Sequence, residues 1–540
     1  MQLLKEKKEW IYVIGLAVFY ILSAVVNLGH LELAGEEPRR AVISIEMLHS
    51  GNYIQPTLLG LDYYNKPPLF NWILSFFIWL TGSASAFVLR LPSLIFYMLM
   101  AMVHYQFAKR FLPHAIAALS AVFIITCGDV YFYGLANGAE IDIFYGFLVY
   151  LQAICIFWFY EQRKFFLLFL TSYLICAIGF LTKGFPSILF QGLTLSALWV
   201  YARSVKVVFN WKHILGLFVF AGVLALYFFL YSQYNSPFRY LTNLLNEAFI
   251  KSAVGERANR LPEKAAFYPI LFLKMLAPWS LLLLLLFTKV RFQLGQNPLV
   301  RFSILFIVFN LWVYWFTGQP KIRYVYMFLP FACTILAYIY QRFSEERPDA
   351  FNKILRPFGF VFLAAAIAVG VVPFIERTSL LLIILLCAAL FAYSYQFFFG
   401  SRQRIWLLIA GIILLRLTYA ALFIPIQHKA LQNYQPIVQT MVEKAGGAPI
   451  SFKADAEAMP IAINTSLFRF QHDTAKVAPV LSYQVPYYYY LQTGRVMKLD
   501  TSAVSTNVKF SYIYQLKEEK RDTLFHFFDW AMNNEAFLYR

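Results

Sequence analysis

The apolar positions of this 540-residue chain fall in long runs separated by short polar breaks. A helix needs about 20 mostly apolar residues to cross a bilayer. Thirteen stretches fit that length: roughly 10–30, 86–107, 114–133, 142–160, 164–182, 184–203, 212–232, 267–287, 301–318, 324–341, 354–374, 379–399 and 404–425. A further run, "PLFNWILSFFIWLTG" (68–82), is apolar but short, and reads as a short span or a helix lying at the membrane surface. Beyond residue 426 the pattern changes. "HKALQNYQPIVQTMVEKAGG" reads as an amphipathic helix ending at a glycine pair. "APISFKAD", "VPYYYYLQTG", "RVMKLD" and "VKFSYIYQLK" read as short strands or helix–strand alternations. The predicted fold class is a polytopic α-helical membrane protein with about 13 transmembrane helices over 1–425 and a small C-terminal α/β domain over 426–540.

Composition agrees with a membrane protein. The chain is 60% hydrophobic and 14% charged, with mean hydropathy +0.60, whereas soluble domains carry about 25% charged residues. Its net charge of +18 would point to nucleic acid in a soluble protein. Here the cations collect in alternate loops, as cytoplasmic loops of membrane proteins do, so no nucleic acid partner is implied. With the N-terminus inside and 68–82 not crossing, every cytoplasmic segment carries at least two Lys or Arg, from Lys5, Lys7 and Lys8 to Arg402 and Arg404. Thirteen spans then place the C-terminus outside the cytoplasmic (inner) membrane. The N-terminal "MQLLKEKKEW" precedes an apolar run without a small-residue cleavage site, which predicts a retained first helix. The five cysteines, Cys127, Cys155, Cys176, Cys333 and Cys387, lie in apolar segments without metal-ligand spacing.

The charges left on the outer side carry the candidate chemistry. "GEEPRRAVISIEMLHSGNY" (35–53) places Glu36 and Glu37 beside Arg39 and Arg40. Acids followed by Pro38 suit a helix N-terminus; equally, a carboxylate at the membrane edge suits a general base. Lys66 precedes a proline pair in "LDYYNKPPLFNW", and Asp142 opens a span in "GAEIDIFYG". Lys183, Lys321 and Arg323 fall at outer span boundaries, where a cation either snorkels or meets an anionic headgroup. Lys274 and Arg416 sit inside apolar runs as isolated candidates for a midplane site. A transporter would gather such groups at mid-membrane in repeated, broken helices, and no internal repeat is visible.

The first outer segment resembles a known group. "GEEPRRAVISIEMLHSGNYIQPTLLGLDYYNKPPLFNW" is similar to the first outer loop of the membrane-embedded GT-C glycosyltransferases, in particular the protein O-mannosyltransferase-like group (glycosyltransferase family 39) and the lipid A aminoarabinose transferases. "FLTKGF", "LAPWSLLL" and "PKIRYVYMFLP" match later features, which extends the likeness over most of residues 1–341. The resemblance implies a GT-C fold and a polyprenyl-phosphate sugar donor. It also implies inverting transfer to an acceptor on the outer face: a protein, lipid A or a glycan. It places the family's catalytic Asp on Glu36, one methylene longer, with Glu37 as the second acid of the pair and Asp142 as the second-loop acid. It places the phosphate-binding Lys on Lys66; an anionic lipid phosphate would also account for the outer cations Lys183, Lys321 and Arg323. "LLNEAFIKSA" lacks the His of the aminoarabinose transferases and offers Lys251 in place of their Arg, a departure from a strict enzyme of that kind. No cofactor is required. A divalent metal near the acids is compatible with the sequence, but no ligand set demands one. A lipid-linked glycan transporter and an outer-face oligosaccharide polymerase or ligase are the alternatives.

Overall fold

The computed structural model describes residues 15–133, 138–251, 261–315, 321–400, 404–430, 433–453, 483–500, 510–514, 523–529 and 534–539. Eight described helices are long and apolar enough to cross a membrane: Ala86–Ala108, Ile141–Glu161, Phe165–Lys183, Trp211–Tyr231, Ile322–Glu346, Asp349–Ile375, Leu380–Phe399 and Arg404–Lys429. Two bent pairs raise this to ten. The other three predicted stretches contain the shorter helices Gly15–Val25, His114–Ile125 and Pro186–Ala202.

The bends have local causes. The stretch predicted as one span over 267–287 turns by 114° between Phe267–Leu276 and Trp279–Phe287. Pro278 cannot donate to a continuing helix. The preceding Ala277 carbonyl instead accepts the Gly128 amide at 2.7 Å. A side chain at Gly128 would place its Cβ 3.1 Å from that carbonyl oxygen, a contact that glycine avoids. The same contact interrupts the predicted span 114–133. Its helix stops at Ile125, and a π-helical turn, Asp129–Tyr133, follows.

The run 68–82 forms the helix Leu69–Thr81. Its 13 residues rise about 20 Å at ~1.5 Å each, short of a hydrocarbon core of about 30 Å. Phe70, Asn71, Leu74, Ser75 and Ile78 are buried, while Phe76, Trp79 and Leu80 are exposed.

The layer beside the membrane helices is built on the helix Glu37–Ser50 and a two-stranded hairpin, Thr57–Leu58 with Leu61–Asp62. The Glu46 carboxylate holds the hairpin turn, accepting from Thr57 Oγ1 at 2.7 Å and the Leu59 amide at 2.6 Å. The C-terminal segment adds a five-stranded mixed sheet. Its spatial order is Leu499–Asp500, Ile450–Lys453, Phe510–Tyr514, Asn534–Tyr539, Thr523–Asp529. The first three strands run parallel and the last two pair antiparallel. "VPYYYYLQTG" is no strand: Gln484–Thr493 is a helix, with Pro486 in its first turn and Gly494 at φ 67° ending it, the Pro-then-Gly order that favours a helix over a ladder.

This C-terminal layer does not hang on a linker. Ala41, Ile45, Leu58, Phe70 and Leu74 share one core with Val438, Met441, Val485, Tyr487 and Tyr489. Glu32 Oε1 caps the helix Tyr434–Lys444 by accepting the Tyr434 amide at 2.8 Å, and Gln484 Nε2 donates to the Leu33 carbonyl at 2.8 Å. The first outer loop is thus packed between the membrane helices and the C-terminal sheet.

Candidate active site

The two acids that open this loop have different surroundings. Glu37 is buried, and Arg90 grips it with both edges of a fork: Nε to Oε1 and Nη2 to Oε2, each 2.9 Å. Its oxygens also accept the Ala34 amide at 2.8 Å and the Ala139 amide at 2.7 Å. The other Arg90 donors reach the carbonyls of Leu28, Leu31 and Glu32 at 2.8–2.9 Å. A carboxylate accepting four bonds from one guanidinium and two amides is spent on structure. It fixes the first outer loop to the second and both to the helix Ala86–Ala108. Glu36 is the N-cap residue of the helix Glu37–Ser50, yet its side chain makes no capping bond. It pairs with Arg39 at 3.1 Å and is 34% exposed. Of the two acids, Glu36 is the one open to a substrate.

The Glu37–Ala139 bond brings the next residue, Glu140, to the same place. Gly35, at φ +61°, would carry a Cβ 3.8 Å from Glu140 Oε1. Glu140 Oε2 meets Arg323 Nη1 at 2.5 Å, and Arg323 Nε faces Asp142 Oδ2 at 3.6 Å. Lys183 Nζ lies 2.5 Å from Asp142 Oδ1. Lys183 does not snorkel: it is 8% exposed and enclosed by the rings of Tyr145, Tyr314 and Tyr324 at 4.9–5.3 Å. Asp142 sits in the first turn of its helix and uses its carboxylate on these cations.

Charges from four separate segments therefore converge: Glu36 and Glu37, Glu140 and Asp142, Lys183, and Arg323. Burial pushes the Glu140 carboxyl up to about 7, the nearby carboxylates Asp142, Glu36 and Glu37 push the same way, and Arg323 opposes them. Buried polar atoms normally find hydrogen-bond partners. Around this cluster Arg323 Nε and Asn71 Nδ2 are buried without one among the described residues. Asn71 itself accepts from Arg40, also buried, at 3.4 Å. Such unmet donors fit a polar ligand. Among the described residues no three His, Cys, Asp or Glu side chains form a metal-binding group.

Lys66 lies half-buried on the adjoining loop, its carbonyl accepting from the Tyr240 hydroxyl at 3.1 Å. Lys321 is half-buried at the N-cap of the 3-10 helix Ile322–Phe328 that carries Arg323. Lys251 ends the helix Pro237–Lys251, and its side chain falls outside the described residues. Lys274 and Arg416 are not isolated midplane cations. Lys274 faces Asp129 at 3.6 Å, and Arg416 Nε donates to the Tyr131 carbonyl at 2.9 Å, so both engage the π-helical turn beside the second outer loop.

Arg90 and Glu140 escape the sequence reading, yet each leaves a trace. Arg90 interrupts the apolar run "FVLRLPS", and an ionisable residue within a span is by default a candidate for function. Glu140 stands two residues before Asp142 in "GAEID".

The fold has known counterparts. Crystal structures of ArnT from Cupriavidus metallidurans, one bound to undecaprenyl phosphate and one apo, superpose with TM-scores of 0.68 and 0.66. The match covers 98% of this chain and 98% of each ArnT chain, at 13% and 14% sequence identity. The chain has the GT-C fold of ArnT. The family described as dolichyl-phosphate-mannose-protein mannosyltransferase matches residues 65–228, which hold Lys66, Glu140, Asp142 and Lys183. Two curated proteins named undecaprenyl phosphate-alpha-4-amino-4-deoxy-L-arabinose arabinosyl transferase are similar in sequence. That of Edwardsiella ictaluri is 32% identical over 36% of this chain and 35% of its own. That of Erwinia tasmaniensis is 32% identical over 36% of both. The chain thus aligns with about a third of the length of these curated relatives.

Proposed function

We propose that this protein is a glycosyltransferase that moves a sugar from a polyprenyl-phosphate donor to an acceptor at the outer face of the cytoplasmic membrane. One observation carries the reading. A half-exposed carboxylate, Glu36, stands beside a buried ion cluster assembled from distant segments, in a chain with the fold of an undecaprenyl-phosphate-binding protein. The similarity to mannosyl and aminoarabinosyl transferases supports it.

In this mechanism Glu36 takes a proton from the acceptor hydroxyl or amine as that group attacks the anomeric carbon. The bond to the phosphate oxygen breaks on the opposite face, so the sugar is transferred with inversion. The electron pair leaves with the polyprenyl phosphate, whose growing charge is met by Lys66, Arg323 and Lys183. Protein and hydrocarbon around the cluster exclude water and strengthen these interactions. Glu37, held by Arg90, positions the loop and takes no proton. The N-terminus is placed inside, the C-terminus outside, and Leu69–Thr81 does not cross.

The test is incubation of the purified protein with a panel of polyprenyl-phosphate sugars and candidate acceptors, following release of polyprenyl phosphate. Acceptor-dependent release from at least one donor is expected. Binding of donors without release, or their vectorial movement across vesicles, would replace the transferase reading with a transporter.

A further inference from the structure

Arg323 is asked to meet a donor phosphate, yet it already holds a carboxylate. Its Nη1 lies 2.5 Å from Glu140 Oε2, while its Nε faces Asp142 Oδ2 at 3.6 Å and lacks a hydrogen bond among the described residues. Asp142 has a second cation, Lys183, at 2.5 Å. No second cation is paired with Glu140 among the described ion pairs. The non-bridging oxygens of a phosphodiester match a guanidinium fork in the way a carboxylate does. We propose, resting on the donor reading above, that Glu140 and the donor phosphate compete for Arg323, and that Glu140 takes up a proton from solvent as it yields the guanidinium.

The surroundings support the exchange. Glu140 is faced by Glu36 and Glu37 from the first outer loop, Asp142 from its own helix and Arg323 from the 3-10 helix. Lys183 and Arg40 act on the neighbouring Asp142, and Arg90 pairs with Glu37. From the helix Ala86–Ala108 the neutral Ser93 donates to its carbonyl at 3.3 Å. A phosphate entering this group with Glu140 ionised would add a further anion to a half-buried guanidinium that already faces Glu140 and Asp142, with Glu36 and Glu37 nearby. With Glu140 protonated, the net charge after binding equals that before. Burial already pushes its carboxyl up to about 7, and losing Arg323 to the phosphate raises it further.

The inference is tested by measuring binding of a polyprenyl methyl phosphodiester to the detergent-solubilised protein across about pH 5.5–9. The probe carries one charge that does not titrate in this range. Affinity should be constant at the acid end. From a free-protein value near 7, it should weaken about fivefold from pH 7 to 8 and about tenfold from 8 to 9, one proton per ligand. Glu140→Gln should bind with a flat profile, at about the acid-limb affinity of the wild type. The buffer dependence of the binding heat should show uptake of close to one proton at pH 8 in the wild type, a readout that needs no variant. A flat wild-type profile without proton uptake would overturn the competition while leaving donor binding intact. A Glu140→Gln protein that keeps the pH dependence would overturn it too. Absence of binding at every pH would remove the donor reading, and this inference with it.

Discussion

Replacing Arg90 with Met removes the guanidinium but keeps a long apolar stem. The change deletes two charged bonds to Glu37 and three to the carbonyls of Leu28, Leu31 and Glu32. Both partners of the ion pair are almost fully buried, so the change leaves the Glu37 carboxyl with only the Ala34 and Ala139 amides to meet it. Breaking a buried pair in this way typically costs about 3–5 kcal/mol. At ~1.4 kcal/mol per decade, the opening equilibrium of the outer loops rises from about a hundredfold to several thousandfold. Hydrogen exchange reads this at two amides, Ala34 and Ala139, both bonded to the orphaned carboxylate. Their exchange should accelerate by that factor, while amides in the middle of Ile141–Glu161 stay protected. Glu37→Gln with Arg90 intact should open the same loops less, because its carbonyl oxygen still accepts. Exchange at Ala34 and Ala139 within about threefold of wild type in Arg90→Met would refute the claim that this pair holds the site together.

Other predictions follow from the same geometry. Lys66→Ala should weaken donor binding or slow turnover without unfolding the protein, and wild-type values for both would remove its phosphate role. Tyr240→Phe deletes one hydrogen bond to the Lys66 carbonyl, worth about 0.5–1.5 kcal/mol. It should raise the donor Kd by about two- to tenfold, less than Lys66→Ala does; an effect equal to that of Lys66→Ala would show that more than loop positioning is lost. A cysteine introduced at Ser502 should react with a membrane-impermeant reagent added to intact cells, and protection there would reverse the proposed orientation.

The membrane helices were legible because hydropathy averages over a window, and the same averaging hid their bends. Pro278 stands in the sequence, but its effect depends on the Ala277 carbonyl finding Gly128, about 150 residues away. Glu36 and Lys66 were legible through one contiguous stretch, Glu36 to Trp72, whose residue types carry a known likeness. Side by side, Glu36 and Glu37 look interchangeable; only Arg90 and the second outer loop separate a buried strut from a half-exposed acid. Arg90 was overlooked because positive-inside reasoning counts loop cations, and this one lies within a span. Glu140 was overlooked because Asp142 matched the likeness and its neighbour did not. "VPYYYYLQTG" reads as either a short strand or a helix–strand alternation, and tertiary packing of Val485, Tyr487 and Tyr489 against the first outer loop, with the Pro and Gly signals, favours helix.

The central claim is that Glu36 accepts the acceptor's proton during sugar transfer, and single-turnover kinetics of Glu36→Gln test it most directly. The amide keeps the size and polarity of the side chain but has no basic oxygen to take the proton. With a donor identified from the panel, sugar transfer should slow by about 10²–10⁴-fold while the donor Kd stays close to wild type. Glu36→Asp, with its carboxylate set back by one methylene, should keep part of the rate. A Glu36→Gln protein that transfers sugar at the wild-type rate would contradict the account.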